Sequence, residues 1–384
     1  MTEPLYLTDS YRTTFSSEVL SCTPAKGGYA VVLAATAFYP EGGGQPADHG
    51  TLGAATVLDV HEKDGSITHL TDAPLAVGST VSGTIDFARR FDHMQQHSGE
   101  HIVSGLLHSF YGYENVGFHL GSEFVVIDIS GPLSPEQLCE VELAANEVVF
   151  ANTAVELSFP PREALSSIDY RSKKAIDGQV RIVTIPRGDV CACCGTHVAR
   201  TGEIGLIKFC GMQNYKGGVR VTMLSGLRAV RYTMHQQEQV AEISGLLSAK
   251  QPEIVSAVRR LLEAEAAAKQ SLGHTVTRLL HYKAAEFSGQ ECPLVFEASL
   301  ASDDLRRYAL LLLENGATRA AVFSGQDAAG YRYALAGSDP DALCRVHAAL
   351  KNELGAHGGG KDGFYQGSIA ASKNTLQTFF AAAN

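Results

Sequence analysis

Gln96-His97-Ser98-Gly99-Glu100-His101 and, further along the chain, Cys191-Ala192-Cys193-Cys194-Gly195-Thr196-His197 are the stretches on which the reading of this sequence turns. Positions four apart on a helix share a face, so His97 and His101 can both reach one ion. Cys193 and His197 have the same spacing. Together the four complete a tetrahedral nitrogen/sulfur set, the preference of zinc. The helix also carries His93, which makes His93 with His97 an alternative pair. Cys191, Cys193 and Cys194 crowd one loop, and Cys193 is preferred because it stands four residues before His197. His97 to His101 also matches the H-x-x-E-H pattern of a class of metalloproteases, with Glu100 as general base. That reading leaves the Cys193/His197 pair unexplained.

Working outward, the histidine stretch calls for a helix from an N-cap at Asp92 to about Tyr111, stopped by Gly112. Before it, residues 1–90 read as all-β: short apolar runs at 29–33 and 56–61, with Asp64-Gly65 as a hairpin turn, predict a small barrel or sandwich. After it, strand signals at 118–129, 180–185 and 205–209 alternate with a helix over 135–152 opened by Ser134. From about Tyr232 the pattern turns to long helix. Ile254, Val258, Leu261, Leu262, Leu272, Val276, Leu279 and Leu280 form a stripe, and Pro252 suits the first turn of a second helix. About 35 residues of helix would span roughly 50 Å as a spacer or dimer seam. The expected class is α+β, with a small β-barrel over 1–90, a two-layer α/β metal-binding domain over 91–231, a helical linker over 232–288 and an α/β domain over 289–384.

The 384 residues are 45% hydrophobic and 19% charged, an ordinary balance for a soluble globular protein. Met1-Thr2-Glu3-Pro4 opens without a secretory pattern, and the run Leu310 to Leu313 is too short to span a bilayer. Eight cysteines are then expected as thiols or metal ligands in a cytoplasmic setting. A net charge of −10 argues against broad nucleic-acid binding but allows local basic surfaces. Candidates are Arg89-Arg90, Arg171 with Lys173, Lys174 and Arg181, Lys216 with Arg220, and Arg228 with Arg231, each otherwise a solvated surface charge.

Two glycine-rich stretches stand out. Phe38-Tyr39-Pro40-Glu41-Gly42-Gly43-Gly44-Gln45-Pro46 allows close backbone approach to a ligand, with Gln45 offering an amide. Gly355 to Asp362 imitates a P-loop until Asp362 replaces its Ser or Thr, so nucleotide hydrolysis is not expected there. Its backbone N–H groups with Lys361 remain suited to phosphate.

Taken together, these motifs resemble the editing half of alanyl-tRNA synthetases and, more closely, the free-standing long-form alanyl-tRNA editing proteins. The resemblance rests on the 38–46 glycine motif, Arg90 through His101, Phe118-His119-Leu120-Gly121 with Ile127-Asp128, Cys193 to Val198, Lys216-Gly217-Gly218 with Arg220, and Gly358 to Phe364. The last motif resembles a C-terminal domain shared with certain phosphoesterases. Ser98 departs from the family's usual Thr. Glu100 stands where the synthetases are not acidic, so the resemblance gives it no catalytic proton.

The resemblance implies hydrolysis of tRNA(Ala) mischarged with serine, and of the glycyl form, at a Zn2+ site of His97, His101, Cys193 and His197. Thr36 and Gln45 would lie near the amino acid. Arg220, Gly358, Gly359, Gly360 and Lys361 would contact RNA. A homodimer through the linker or C-terminal domain is compatible with it, and no membrane partner is implied. No adenylate-forming domain precedes the barrel, so tRNA charging by this chain is not expected. The alternative of another class is an RNA-binding protein with a structural zinc site.

Overall fold

From Thr14 to Val19 the side chains alternate strictly between solvent and interior, with Phe15, Ser17 and Val19 buried, the period-two pattern of a half-buried strand. This strand, Thr14–Ala25, closes a six-stranded barrel with Gly28–Leu33, Ser66–Thr71, Ala55–Lys63, Gly50–Leu52 and Thr80–Ile85, in that order around the barrel. Asp64 and Gly65 both take positive φ at the hairpin turn, which the tight turn demands. Val31, Leu33, Phe38, Leu52, Val60 and Ile67 fill the interior.

The computed structural model describes residues 2–172 and 179–382. Lys173 and Lys174 lie outside the described residues. The chain divides into two units, Met1–Glu242 and Ile243–Asn384, and its class is mixed α+β.

Helix α1, Phe87–Tyr111, begins earlier than expected. Its N-cap is Asp86, whose carboxylate accepts the Arg89 N–H at 3.1 Å. Asp92 instead accepts two bonds from the Arg228 guanidinium, at 2.9 and 2.5 Å. Gly112 ends the helix in the left-handed conformation, φ 69°. Arg90 and every residue from His93 to Leu107 are buried, so the helix has no solvent face through its middle and its polar side chains need protein partners. Arg90 shows how this is met: its guanidinium pairs with the fully buried Asp48 and donates to the carbonyls of Ser10 and Ala37, which ties the barrel to α1.

Around α1 stand a four-stranded antiparallel sheet and a three-stranded one. The first runs Ile207–Tyr215, Gly218–Ser225, Val125–Ile129, Asn115–Leu120. The expected strand over 118–129 is thus a hairpin, closed where Gly121 N–H meets the Phe124 carbonyl. The second sheet runs Glu156–Ser158, Ile182–Ile185, Asp189–Ala192. Helix α2, Pro135–Phe150, is opened by a reciprocal capping box between Ser134 and Gln137.

Helix α3, Gly226–Leu246, crosses the boundary between the units, and α4, Ile254–Ala285, follows a break where Ser248 takes φ 48°. In the second unit α4 buries Leu280 and Ala284 against Leu305, Tyr308 and Val322, while Val255, Leu261, Leu262 and Leu272 stay exposed. A five-stranded sheet runs Leu294–Glu297, Arg319–Gln326, Gly330–Gly337, Phe364–Ile369, His357–Lys361. Ala320 and Val322 join one core, Ala321 and Phe323 the other, so both faces are covered. The covering helices are α4, α5 (Ser302–Glu314), α6 (Pro340–Leu354) and α7 (Lys373–Ala382).

The expected phosphate loop at Gly358 to Gly360 is an edge strand. Gly355 is the left-handed cap of α6, and Asp362-Gly363 form the hairpin turn. Pairing to residues 364–368 spreads the amides along an extended backbone, so they do not converge as a phosphate loop's would. Among the described residues no helix is long and apolar enough to cross a membrane.

Candidate metal centre

Each of three histidines on two segments has its Nδ1 engaged by a different protein group. His97 Nδ1 lies 2.8 Å from Gln45 Oε1, His101 Nδ1 2.9 Å from Asp189 Oδ2, and His197 Nδ1 3.1 Å from Ser98 Oγ. A carboxylate and an amide oxygen accept only, so His97 and His101 donate from Nδ1 and leave Nε2 as a lone-pair donor. His97 Nε2 and His197 Nε2 lie 3.6 and 3.4 Å from Cys193 Sγ. One ligand atom each from His97, His101, Cys193 and His197 lies within 4.8 Å of all the others. The four residues can therefore hold a single metal ion.

Geometry favours Cys193 as the thiolate, since it belongs to a four-residue group with three histidines, whereas Cys191 belongs to a three-residue group with His101 and Asp189. Cys193 sits among the three imidazoles, Cys191 is buried beside His101 and Asp189, and Cys194 is exposed. Burial pushes the Cys193 thiol up, but His97, His101 and His197 together hold it well below the usual thiol range. Burial lowers His197 to about 3, which keeps it neutral. His101 is opposed by burial but raised by the Cys193 thiolate and Asp189. A metal requires a thiolate and neutral imidazoles, so the proton that Cys193 and Asp189 favour on His101 would leave when an ion binds.

The loop bearing Cys193 is held tightly. Arg181 donates from one nitrogen to the carbonyls of Cys193 and Gly195 and from Nε to Leu7. A Cβ at Gly195 would fall 2.2 Å from the His97 ring, so only glycine lets the loop close over the histidine. Gln96 ties α1 to Ser225 through both amide atoms, at 2.8 and 2.7 Å. Arg171 grips Asp189 through Nε and one terminal nitrogen, at 2.8 and 2.9 Å.

Beside the cluster is a cavity of about 270 Å³, lined by His97, His101, Cys193, Tyr39, Gly43, Phe118, Glu100 and Arg171 among others. Phe118 stacks on His97 with centroids 5.2 Å apart. The volume suits a small polar ligand and falls just below the range of larger organic ligands.

The other residues singled out by the sequence have these surroundings. Thr36 is fully buried inside the barrel, donating to His69 Nε2 at 2.8 Å and accepting the Phe38 N–H, and it is not among the residues that line the cavity. Gln45 is also fully buried; it orients His97 and donates to Thr196 Oγ1 at 2.8 Å. His93 does not join the metal cluster. Arg90 and Arg181 are buried and Arg171 nearly so, hence none is a solvated surface charge. Arg220 pairs in two-pronged fashion with Asp128 and lies 3.9 Å from the Tyr215 ring centre. Lys361 is almost fully exposed, and Gly358 to Gly360 form the strand described above. Asp189 and Arg171 were not foreseen as parts of the site, because no spacing in the sequence links them to His101.

Comparison with known proteins places these elements in context. The family described as "Threonyl and Alanyl tRNA synthetase second additional domain" matches residues 180–222, and "tRNA synthetases class II (A)" matches residues 12–89. The alanyl-tRNA editing protein Aarsd1 of Mus musculus is 32% identical over 274 residues, covering 67% of this chain and 66% of that protein. Aarsd1-A of Xenopus laevis is 34% identical over 270 residues, 66% of each. The alanine–tRNA ligase of Pyrobaculum calidifontis is 33% identical over 399 aligned residues, 98% of this chain and 43% of the ligase. The match thus spans just under two thirds of the length of the editing-protein relatives.

Proposed function

Because this chain belongs to the homologous family that joins the alanyl-tRNA editing proteins to the corresponding part of the alanine–tRNA ligases, we propose that it is an aminoacyl-tRNA deacylase. In this reading it clears tRNA(Ala) mischarged with serine, and its glycyl counterpart, by zinc-dependent hydrolysis of the ester.

The observation that carries the reading is the geometry of the four donors. Zinc bonds of about 2.3 Å to sulfur and 2.0–2.1 Å to nitrogen put tetrahedral S···N edges at about 3.6 Å. The two S···N separations are 3.6 and 3.4 Å, so the donor set fits this ion. Such an ion supplies Lewis acidity at the ester carbonyl or at water. The chain's own residues do the rest. Asp189, Gln45 and Ser98 hold the three imidazoles with Nε2 inward, and Phe118 and Tyr39 wall the cavity. Ester hydrolysis needs no ATP.

A second site is required because a synthetase pocket rejects an analogue with one extra hydroxyl by only about 10²-fold. The cavity must then spare alanine, which leaves polar groups unpaired where serine would satisfy them. RNA contact is assigned to Arg220, to Lys361 and to the exposed edge strand at Gly358, Gly359 and Gly360, where backbone and ammonium meet phosphate. The division into barrel, editing domain, helical linker and C-terminal domain at residues 90, 231 and 288 is part of this proposal. So are a cytoplasmic setting and a homodimer seated on the exposed stripe of α4.

The test is release of serine from Ser-tRNA(Ala) by the purified protein, with Ala-tRNA(Ala) as the counter-substrate. Serine release with alanine spared is expected; equal release of both contradicts an editing role.

A further inference from the structure

Arg181 stands beside the metal centre, only 2% exposed. The register that pairs Ile182 with Ala192 sets it opposite Cys193, whose N–H donates to the Arg181 carbonyl at 3.1 Å. Its Nη1 donates to the carbonyls of Cys193 and Gly195 at 2.8 and 2.9 Å, and its Nε to the Leu7 carbonyl at 3.0 Å. Those two loop carbonyls flank the peptide whose N–H, that of Gly195, donates to Cys193 Sγ at 3.3 Å. One guanidinium nitrogen thus fixes the turn that points a donor at the sulfur.

Hydrogen bonding alone does not account for an arginine here. Neutral donors can hold carbonyls, whereas a full charge taken out of water is costly unless an anion answers it. Nη2 is buried with no hydrogen-bond partner, which adds to that cost. Burial pulls Arg181 below its usual range, and the first group to oppose this is Cys193, ahead of Cys194, Tyr39 and Tyr6. None of these is a carboxylate. A metal-bound cysteine is a thiolate, so with an ion in place the guanidinium has its anion in Cys193.

We propose that Arg181 is a positioning residue for the metal centre, holding the Cys193 thiolate on the ion through its charge as well as its hydrogen bonds. It is not one of the four clustered donors and is not among the residues that line the cavity, so it acts through Cys193. This rests on the reading of the four donors as a zinc site and does not need the deacylase reading.

The experiment compares the full-length unaltered protein with Arg181→Gln and Arg181→Lys, each loaded with zinc and challenged with a chelator of known affinity. Arg181→Gln can still donate to a carbonyl but carries no charge. It should lower zinc affinity about 10- to 100-fold, the usual cost of losing a partner that supports a ligand. Arg181→Lys loses the planar fork but keeps the charge, and its affinity should lie closer to the unaltered protein than to Arg181→Gln. Cobalt(II) in place of zinc gives a second readout. Without a cation to stabilise the sulfur's electrons, the thiolate-to-cobalt charge-transfer band of Arg181→Gln should move to lower energy. Equal loss of affinity in both variants, or unchanged affinity with an unmoved band, would overturn the proposal in favour of a purely structural clamp. If Arg181→Gln does not fold, Arg181→Lys decides: affinity near that of the unaltered protein supports the proposal, and loss of zinc as complete as in Cys193→Ser overturns it. If the unaltered protein binds no zinc, the reading of the four donors itself falls, and the assignment of Arg181 falls with it.

Discussion

His101 donates from Nδ1 to Asp189 at 2.9 Å, and Arg171 holds that same carboxylate from the other side. The imidazole is thus oriented by a carboxylate that is not one of the four clustered donors, and its basic Nε2 is turned to Cys193. Asp189→Asn retains the shape but loses the charge. It should weaken zinc binding about 10- to 100-fold, the usual cost of losing such a partner. Competition against a chelator of known affinity reads this directly; unchanged affinity would mean that the carboxylate does not tune the ligand.

The two cysteines near His101, Cys191 and Cys193, should behave differently. Cys193→Ser should remove most bound zinc, as should His97→Ala combined with His101→Ala. Cys191→Ser should keep one zinc per chain, because Cys191 lies outside the four-residue cluster. Elemental analysis of the three purified variants decides the assignment, and retained zinc in Cys193→Ser would point to another thiolate.

The barrel carries its own pH dependence. Burial lowers His69 from 6.5 to about 4, and its Nδ1 meets the Val31 carbonyl at 3.1 Å. Above about pH 6.5 the ring is neutral in folded and unfolded chains alike. Between 6.5 and 4 only the unfolded chain takes up the proton, so stability falls with acidification through that window, by roughly 3 kcal/mol in all. Denaturant unfolding at several pH values should show a shallower slope for His69→Gln than for the unaltered protein; parallel curves would contradict this.

Much of the site was readable from spacing. The i, i+4 pairs His97/His101 and Cys193/His197 announce themselves because helix and tight-loop geometry are local. For the same reason Ser134 marked α2 and Asp64-Gly65 marked a hairpin. Contacts that depend on tertiary packing were not legible. Asp189 and Arg171 reach His101 from a separate strand and loop. Thr36, read as a substrate contact, turned out to be paired with His69 inside the barrel. The glycines at 358–360 looked like a phosphate loop by composition, yet the Asp362-Gly363 turn makes them an edge strand.

The second unit is expected to contribute affinity and not chemistry. A chain ending after Leu246 keeps all of α3 and the whole metal centre. Its rate at saturating Ser-tRNA(Ala) should stay close to that of the full chain. At limiting tRNA it should fall, because RNA contacts away from the reacting ester act through binding. Equal rates at limiting tRNA would remove Lys361 and the strand at 357–361 from the RNA-binding surface.

The exposed stripe of Val255, Leu261, Leu262 and Leu272 on α4 is proposed to pair two chains. Replacing Leu261 and Leu272 with Glu should shift the protein from dimer to monomer in sedimentation equilibrium while leaving zinc content at one per chain. A monomer before substitution would rule the seam out.

The most direct test of the central claim is a zinc titration of chelator-stripped protein while serine release from Ser-tRNA(Ala) is followed. The rate should rise with added zinc and level off at one equivalent per chain. Full hydrolysis without zinc, or one bound zinc with tRNA binding but no release of serine, would contradict the claim that this metal centre is a deacylase site.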